Sequence, residues 1–135
     1  MNKLKGNISG VQSSDNISII NVDVNGDEFS SIVLEGKKGP SNYKIDDNVT
    51  ILFKETEVGL AKELTGLISL RNRFKGVIKR IDKGPILARV IMTYRGNTIE
   101  SIISSRSVTH MKLKEKEEVE WLVKTNEVTL MKNPA

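Results

Sequence analysis

Few side chains of this chain are suited to catalysis. It has no cysteine and one histidine, His110, and no serine stands beside a plausible base. The segment GKKGPSN at residues 36–42 is not a phosphate-binding P-loop, because it lacks the Gly-Lys-Ser/Thr ending. We therefore predict a protein that is not an enzyme and has no catalytic cofactor or metal site. His110 is interpreted as a surface residue.

Positively charged hydrogen-bond donors are abundant instead. The chain has 21 Lys and Arg against 17 Asp and Glu, a formal charge of +4 and a pI of about 9.3. A basic balance favours an anionic partner, but it does not choose between nucleic acid, a membrane surface and a small anion. Since no apolar run has the length of a signal peptide or a membrane span, we expect a cytoplasmic protein without a membrane partner.

The chain repeats itself at an offset of 70 residues, and no gap is needed. At least thirteen positions are identical in this register, whereas average residue usage would give about four. The duplication predicts two units, residues 1–65 and 66–135. Units of this size are marginally stable alone, and the seam at residues 57–70 is apolar, so we expect the units to be packed together. The identities include Asn2 with Asn72, Gly6 with Gly76, Ser31 with Ser101, Val49 with Val119 and Lys54 with Lys124.

The apolar pattern of each unit predicts short β-strands. In the second unit, residues 86–94 and 99–103 flank a glycine turn, and the first unit repeats this hairpin at residues 17–34. Short final strands are predicted around residues 49–54 and 119–124. The polar residues 104–107 could cap one helical turn. Five strands in about 65 residues fit a small barrel of the oligonucleotide/oligosaccharide-binding (OB) type. The predicted fold is therefore all-β, with two tandem OB-like five-stranded barrels.

Four strings in the second unit match a known series of motifs. Residues 69–76 read SLRNRFKG, 99–104 read IESIIS, 113–119 read LKEKEEV and 123–128 read VKTNEV. In this order they resemble the S-A-R-N-x-L/F-K-G, I-T-S-I-I-S/T, L-x-x-G-x-x-V and V-K-S/A-x-x-V motifs of the molbindin family, also called Mop or TOBE. The resemblance covers residues 69–131 and, through the repeat, weakly covers the rest.

This resemblance implies a di-Mop protein that binds molybdate or tungstate for storage, buffering or sensing. It also implies a homo-oligomer, which we expect to be a trimer, with anion sites at the subunit interfaces. A tetrahedral dianion without protons needs a site made of donors alone, such as a guanidinium fork, an ammonium group, hydroxyls and backbone N–H groups. The candidate ligands are Ser69, Leu70 (through its N–H), Arg71, Ser104, Lys124 and Thr125.

The first unit keeps only one of these side chains. Lys54 stands opposite Lys124 and is a possible secondary ligand. At two other ligand positions the first unit has unsuitable residues: the carboxylate of Glu55 would repel a dianion, and the apolar Leu34 cannot replace a hydrogen-bond donor. We therefore expect about one anion per chain or fewer, held by the second unit. The departures are Met1 opposite Arg71, Leu34 opposite Ser104, Glu55 opposite Thr125 and, within the second unit, Leu70 for Ala and Lys116 for Gly.

Other interpretations stay open at this point. Arg71 could form a surface ion pair, Ser104 could only cap a helical turn, and the paired lysines could cover barrel edges. Barrels of this type often bind nucleic acid by stacking bases on aromatic side chains. Most of the six aromatic residues fall at core-like positions, with Trp121 expected in the core or an interface. Nucleic acid binding and a purely structural or interaction module are therefore the less favoured alternatives.

Overall fold

The computed structural model describes residues 1–34 and 42–133, so residues 36–41 of the GKKGPSN segment lie outside the described chain. Ten strands, one helix and two 3-10 turns follow one another in the described residues. They are β1 (Asn2–Ser14), β2 (Ile17–Val24), β3 (Asp27–Leu34), β4 (Asn48–Phe53), the first 3-10 turn (Glu55–Glu57), β5 (Gly59–Ala61), β6 (Asn72–Lys83), β7 (Leu87–Tyr94), β8 (Asn97–Ser104), α1 (Ser105–Met111), β9 (Glu118–Val123), the second 3-10 turn (Thr125–Glu127) and β10 (Thr129–Lys132).

The strands form two antiparallel five-stranded sheets, in the orders β10-β4-β1-β2-β3 and β5-β9-β6-β7-β8. The 70-residue offset holds for the bounds of β2 and β7, β3 and β8, and β4 and β9. The long first strand of each repeat also has a register shift at the same position, between Ile8 and Gly10 in β1 and between Ile78 and Arg80 in β6. The predicted all-β class and the tandem arrangement are confirmed.

Each sheet takes one strand from the other repeat. β10 pairs with β4, placing Leu130 opposite Ile51, and β5 pairs with β9, placing Leu60 opposite Trp121. The predicted domain boundary between residues 65 and 66 follows the sequence repeat and stays a prediction. Each hydrogen-bonded sheet contains strands from both sides of this boundary. The two units cannot separate without breaking both of these ladders.

Buried polar residues that are identical in the two repeats join them. The Asn72 amide donates to Ser30 O at 2.8 Å, and Ser30 N–H donates back to the Asn72 side chain at 2.7 Å. Asn2 makes the matching pair of bonds with Glu100, both at 2.8 Å. In the same way, the hydroxyls of Ser31 and Ser101 donate to Val128 O and Val58 O. A buried amide needs partners for all its polar atoms, so these identities are explained by packing between the repeats.

Five aromatic side chains pack against one another where the repeats meet. Their ring centroids lie 5.1–6.1 Å apart in successive pairs, and Trp121 is fully buried as predicted. Two of these rings come from the first repeat and three from the second: Phe29, Phe53, Phe74, Tyr94 and Trp121. Four of the rings are buried in the core and the half-buried Phe74 packs against them, so these faces are not available to stack nucleic-acid bases.

The turns and the helix follow the local sequence. Asn25-Gly26 and Arg95-Gly96 all have positive φ, as two-residue hairpins require. Ser104 caps α1 as predicted, and His110 is exposed at its end. The apolar seam is only partly buried, because Leu67 is fully exposed. In the described residues, none of the helices has the length and apolar character needed to cross a membrane.

Candidate functional site

Three of the predicted ligands lie together where the β6–β9 ladder ends. The last pair of that ladder is Asn72 with Val123, so Arg71 and Lys124 are the next residues on the two strands. Neighbouring strands lie about 4.8 Å apart. Thr125 follows directly and begins the second 3-10 turn. We call Arg71, Lys124 and Thr125 the Arg71 cluster.

The segment before this cluster carries Ser69, which is exposed, and Leu70, which is half-buried. Arg73 fixes the segment from the other side. Its guanidinium donates to Leu64 O at 3.1 Å and to the carboxylate of Glu120, and this bond holds the pKa of Glu120 below its ordinary value. The two arginines of the SLRNRFKG string therefore differ, since Arg73 has a structural role.

The positive charge of the Arg71 cluster is not neutralised within the described part of the chain. Arg71 and Lys124 are exposed, and neither of them forms an ion pair with a carboxylate there. Thr125 is half-buried, because the second 3-10 turn packs on β3 of the first repeat. The cluster thus offers charged donors and a hydroxyl at one surface, as an anion site requires.

Ser104 lies elsewhere in the same chain. It pairs with Leu87 at the far end of the β7–β8 ladder, beyond the end of β6, whereas Arg71 precedes the start of that 12-residue strand. The Ser104 hydroxyl accepts a hydrogen bond from Ser107 N–H at 3.0 Å and contacts Ser107 Oγ at 2.8 Å. A single chain therefore does not bring Ser104 to the Arg71 cluster.

The first repeat has an ion-pair network at the corresponding place. Glu55, in the position of Thr125, pairs with the Met1 α-ammonium group, and its carboxylate lies 3.9 Å from Arg89. Arg89 also lies 3.4 Å from Glu100. The hydrogen bond from the ammonium group, with a smaller contribution from Arg89, holds the pKa of Glu55 below its ordinary value of 4.5. We call Met1, Glu55, Arg89 and Glu100 the Glu55 network.

Sequence analysis missed the roles of Arg89 and Glu100. A signal was present, since the first repeat has Ile19 and Ser30 at the matching positions. Arg89 and Glu100 are charged where the first repeat has an apolar and a neutral polar residue, and they lie beside Glu55, the carboxylate in the position of Thr125. The contact joins residues of different repeats, so the sequence of one repeat cannot reveal it.

Lys54, the possible secondary ligand, lines a cavity of about 230 Å³ between the repeats. Glu57 and Glu127 line the same cavity. Met1 lines it as well, and the two carboxylates weaken the attraction of these cationic groups for a dianion. No group of three or more His, Asp or Glu side chains that could hold a metal ion is found in residues 1–34 and 42–133.

Comparison with known proteins agrees with these features. The TOBE domain model matches residues 68–130. Molybdenum-pterin-binding proteins 1 and 2 of Clostridium pasteurianum are each 38% identical over 65 residues, which is 47% of this chain and 96% of each relative. The chain belongs to the molbindin (Mop/TOBE) family. Each of these relatives corresponds to about one repeat, and this molbindin carries two.

The whole fold also has a solved counterpart. The cytoplasmic molybdate-binding protein ModG, in a crystal form with molybdate bound, superposes with a TM-score of 0.88. The superposition covers 96% of this chain and 94% of ModG, at 22% sequence identity. At that identity the likeness establishes the fold, and it confirms the tandem molbindin architecture predicted from the sequence.

One departure from the molbindin motifs also has a structural reason. Lys116, which replaces a motif glycine, has φ of 69° and donates its N–H to Ile78 O at 2.7 Å. Asp46 occupies the same position in the first repeat, with φ of 74° and a 2.8 Å bond to Ile8 O. This left-handed conformation suits glycine best, which accounts for the family preference.

Proposed function

We propose that this protein binds molybdate or tungstate, and that the Arg71 cluster is the main contact of the anion. The observation that carries the proposal is the adjacency of Arg71 and Lys124, two exposed cations without a carboxylate partner in the described residues. Membership of the molbindin family supports the choice of anion. We infer a binding role without catalysis.

The chemistry of the ligand fits the donors. A tetrahedral dianion has four acceptor oxygens and no proton to donate, so every protein contact must be a donor. Arg71 offers a planar fork of N–H groups, Lys124 a compact charge, and Thr125 and Ser69 rotatable hydroxyls. The N–H of Leu70 can add a backbone donor.

We propose that a second copy of the chain completes the site with its Ser104. The surroundings of Ser104 support an intermolecular position, because its ladder partner Leu87 is 60% exposed and the preceding Ile86 is 76% exposed. Exposed apolar residues next to a polar group are typical of a surface covered by a partner. A closed homo-oligomer, which we expect to be a trimer, would repeat this contact on every copy.

We further propose that the protein acts in the cytoplasm, in storage, buffering or sensing of the anion. The ModG counterpart, a cytoplasmic molybdate-binding protein, supports this assignment. Neither anion is favoured over the other by the residues of the cluster, since molybdate and tungstate share their shape and charge.

Titration calorimetry of the whole chain with molybdate, tungstate, sulfate and phosphate tests the proposal. We expect saturable binding of the two metal oxyanions at about one per chain, with much weaker binding of sulfate and phosphate. A native-state ligand should also raise the melting temperature. A folded, anion-free protein that neither binds nor is stabilised by molybdate or tungstate would contradict the proposal.

The shared site is tested by mixing variants. Arg71→Ala and Ser104→Ala should each bind poorly alone, whereas oligomers assembled from both chains contain some interfaces with an intact Arg71 and an intact Ser104. Binding should therefore partly recover in the mixture. If the mixture binds no better than the separate variants, Ser104 does not serve a neighbouring copy.

A further inference from the structure

We infer that Glu55 is a built-in anion that closes the first-repeat counterpart of the Arg71 cluster. This inference rests on the proposed function, because it explains why one repeat would bind the external anion and the other would not. It concerns a specificity-determining residue, and it predicts that a single substitution can open a second site.

The two places correspond residue by residue. The β1–β4 ladder ends at Asn2 with Phe53, so Met1 and Lys54 are adjacent, as Arg71 and Lys124 are in the second repeat. Glu55 then begins the first 3-10 turn, where Thr125 begins the second. The carboxylate pairs with the cationic group of residue 1, which matches Arg71 in the repeat. It therefore stands where an anion bound to this end of the ladder would stand.

The surroundings of Glu55 have changed together with it. The first 3-10 turn packs on β8, which carries Glu100, and Arg89 on the neighbouring strand β7 approaches the carboxylates of both Glu55 and Glu100. The second 3-10 turn packs on β3, and the matching residues are Ser30 on β3 and Ile19 on the neighbouring strand β2. The Glu55 network is thus internally balanced in charge, while Thr125 has no matching carboxylate or arginine. A buried or half-buried charge is tolerated when it is paired in this way.

A carboxylate at this point excludes an external dianion for two reasons. It repels the anion directly, and it occupies the donors that the anion would need. Because Glu55 is part of the chain, it competes at a high effective concentration that an external ligand in the micromolar range does not match. Its side chain is only 20% exposed, so it cannot simply turn into solvent without losing its contacts.

Exchange of the two residues tests the inference in the full-length chain. Glu55→Thr copies the second repeat at this position and should raise bound molybdate above the wild-type value of about one per chain in equilibrium dialysis, with the added site weaker because Leu34 stands in the position of Ser104. Thr125→Glu makes the opposite change and should reduce it to near zero. Asp15→Asn removes an exposed carboxylate from the turn between β1 and β2, at the opposite end of β1 from Met1, and should leave the stoichiometry unchanged.

Two further measurements keep the test decisive. If Glu55→Thr does not fold, Glu55→Gln keeps the side-chain shape, removes the charge and should also raise the stoichiometry. A crystal of the variant soaked in tungstate should show a new anomalous peak beside Lys54. A wild type that binds one anion and variants at Glu55 that still bind one would overturn this inference alone. A second site in Asp15→Asn would also overturn it, whereas a wild type without binding would overturn the proposed function itself.

Discussion

The two repeats share one fold but carry opposite charge. Of the 21 Lys and Arg, 7 lie in residues 1–65 and 14 in residues 66–135, while the 17 Asp and Glu divide as 10 and 7, so the formal charges are −3 and +7. The residues that build the sheets and join the repeats are retained, among them Asn2 with Asn72 and Ser31 with Ser101. Fold and charge have therefore diverged independently, because the fold depends on buried positions and the charge on exposed ones.

The difference is sharpest at the ends of the two equivalent ladders. In the second repeat, Arg71 and Lys124 stand together without a carboxylate partner in the described residues. In the first repeat, Glu55 fills the matching position and is paired. The second repeat thus presents an exposed cationic surface, whereas in the first repeat the cationic groups at this place are paired with Glu55.

The largest expected effect tests what the repeats have in common. Asn72→Ala removes two hydrogen bonds to β3 and takes these partners from the N–H and C=O of the half-buried Ser30. The free energy of unfolding should fall by about 2–4 kcal/mol, since each unsatisfied buried group costs about 1–3 kcal/mol. Urea denaturation measures this loss. Asn2→Ala should cost a similar amount, and a loss in one repeat alone would show that the junction is not symmetric.

The next effect tests how the repeats differ. Arg71→Ala and Lys124→Ala should each weaken molybdate binding by ~1.5–3 kcal/mol, the typical contribution of a charge-assisted hydrogen bond, without loss of the fold. Lys54→Ala is the matched control in the first repeat and should leave the affinity nearly unchanged. Titration calorimetry separates these results. Equal losses at Lys54 and Lys124 would contradict unequal repeats.

Much of this architecture could be predicted from the sequence because it depends on local patterns. The glycine turns at residues 25–27 and 95–97, the strands beside them and the cap at Ser104 all follow from short strings. The 70-residue repeat then carried each prediction to the other unit. Trp121 in the core followed from the same alternation of apolar residues.

The strand exchange could not be predicted in this way. β5 and β10 are equivalent in the repeat, so a pattern cannot decide whether each pairs within its own unit or with the other. The Glu55 network could not be predicted either, because Glu55 and Arg89 belong to different repeats and their contact depends on how the repeats pack. Motif matching also named Ser104 beside Arg71 without giving their separation, which only the ladder registers provide.

A smaller effect should appear in the pH dependence of stability. The pKa of Glu55 is lowered in the folded protein from its ordinary value of 4.5, so the carboxylate contributes stability above about pH 4.5 and loses it as the pH falls through the folded pKa. Wild type should exceed Glu55→Gln by up to about 1 kcal/mol at pH 7, as expected for a single ion pair near the surface. Unfolding midpoints at pH 7 and pH 3 should show this difference at the higher pH and little at the lower. A difference that grows on acidification has the wrong sign for a paired carboxylate.

The smallest expected effect compares the two residues that replace a glycine. Lys116 and Asp46 both adopt the left-handed conformation, and both donate their N–H to the first long strand of their own repeat. Lysine pays a steric penalty there, partly offset on substitution by the greater unfolded-state freedom of glycine, so Lys116→Gly should stabilise the protein by about 0.5 kcal/mol. Asp46→Gly should gain less, because a short polar side chain tolerates this conformation better than lysine does. Thermal unfolding of the two variants beside the wild type measures both gains. A larger gain at Asp46 than at Lys116 would show that contacts of the lysine side chain, rather than backbone conformation, determine stability at this turn.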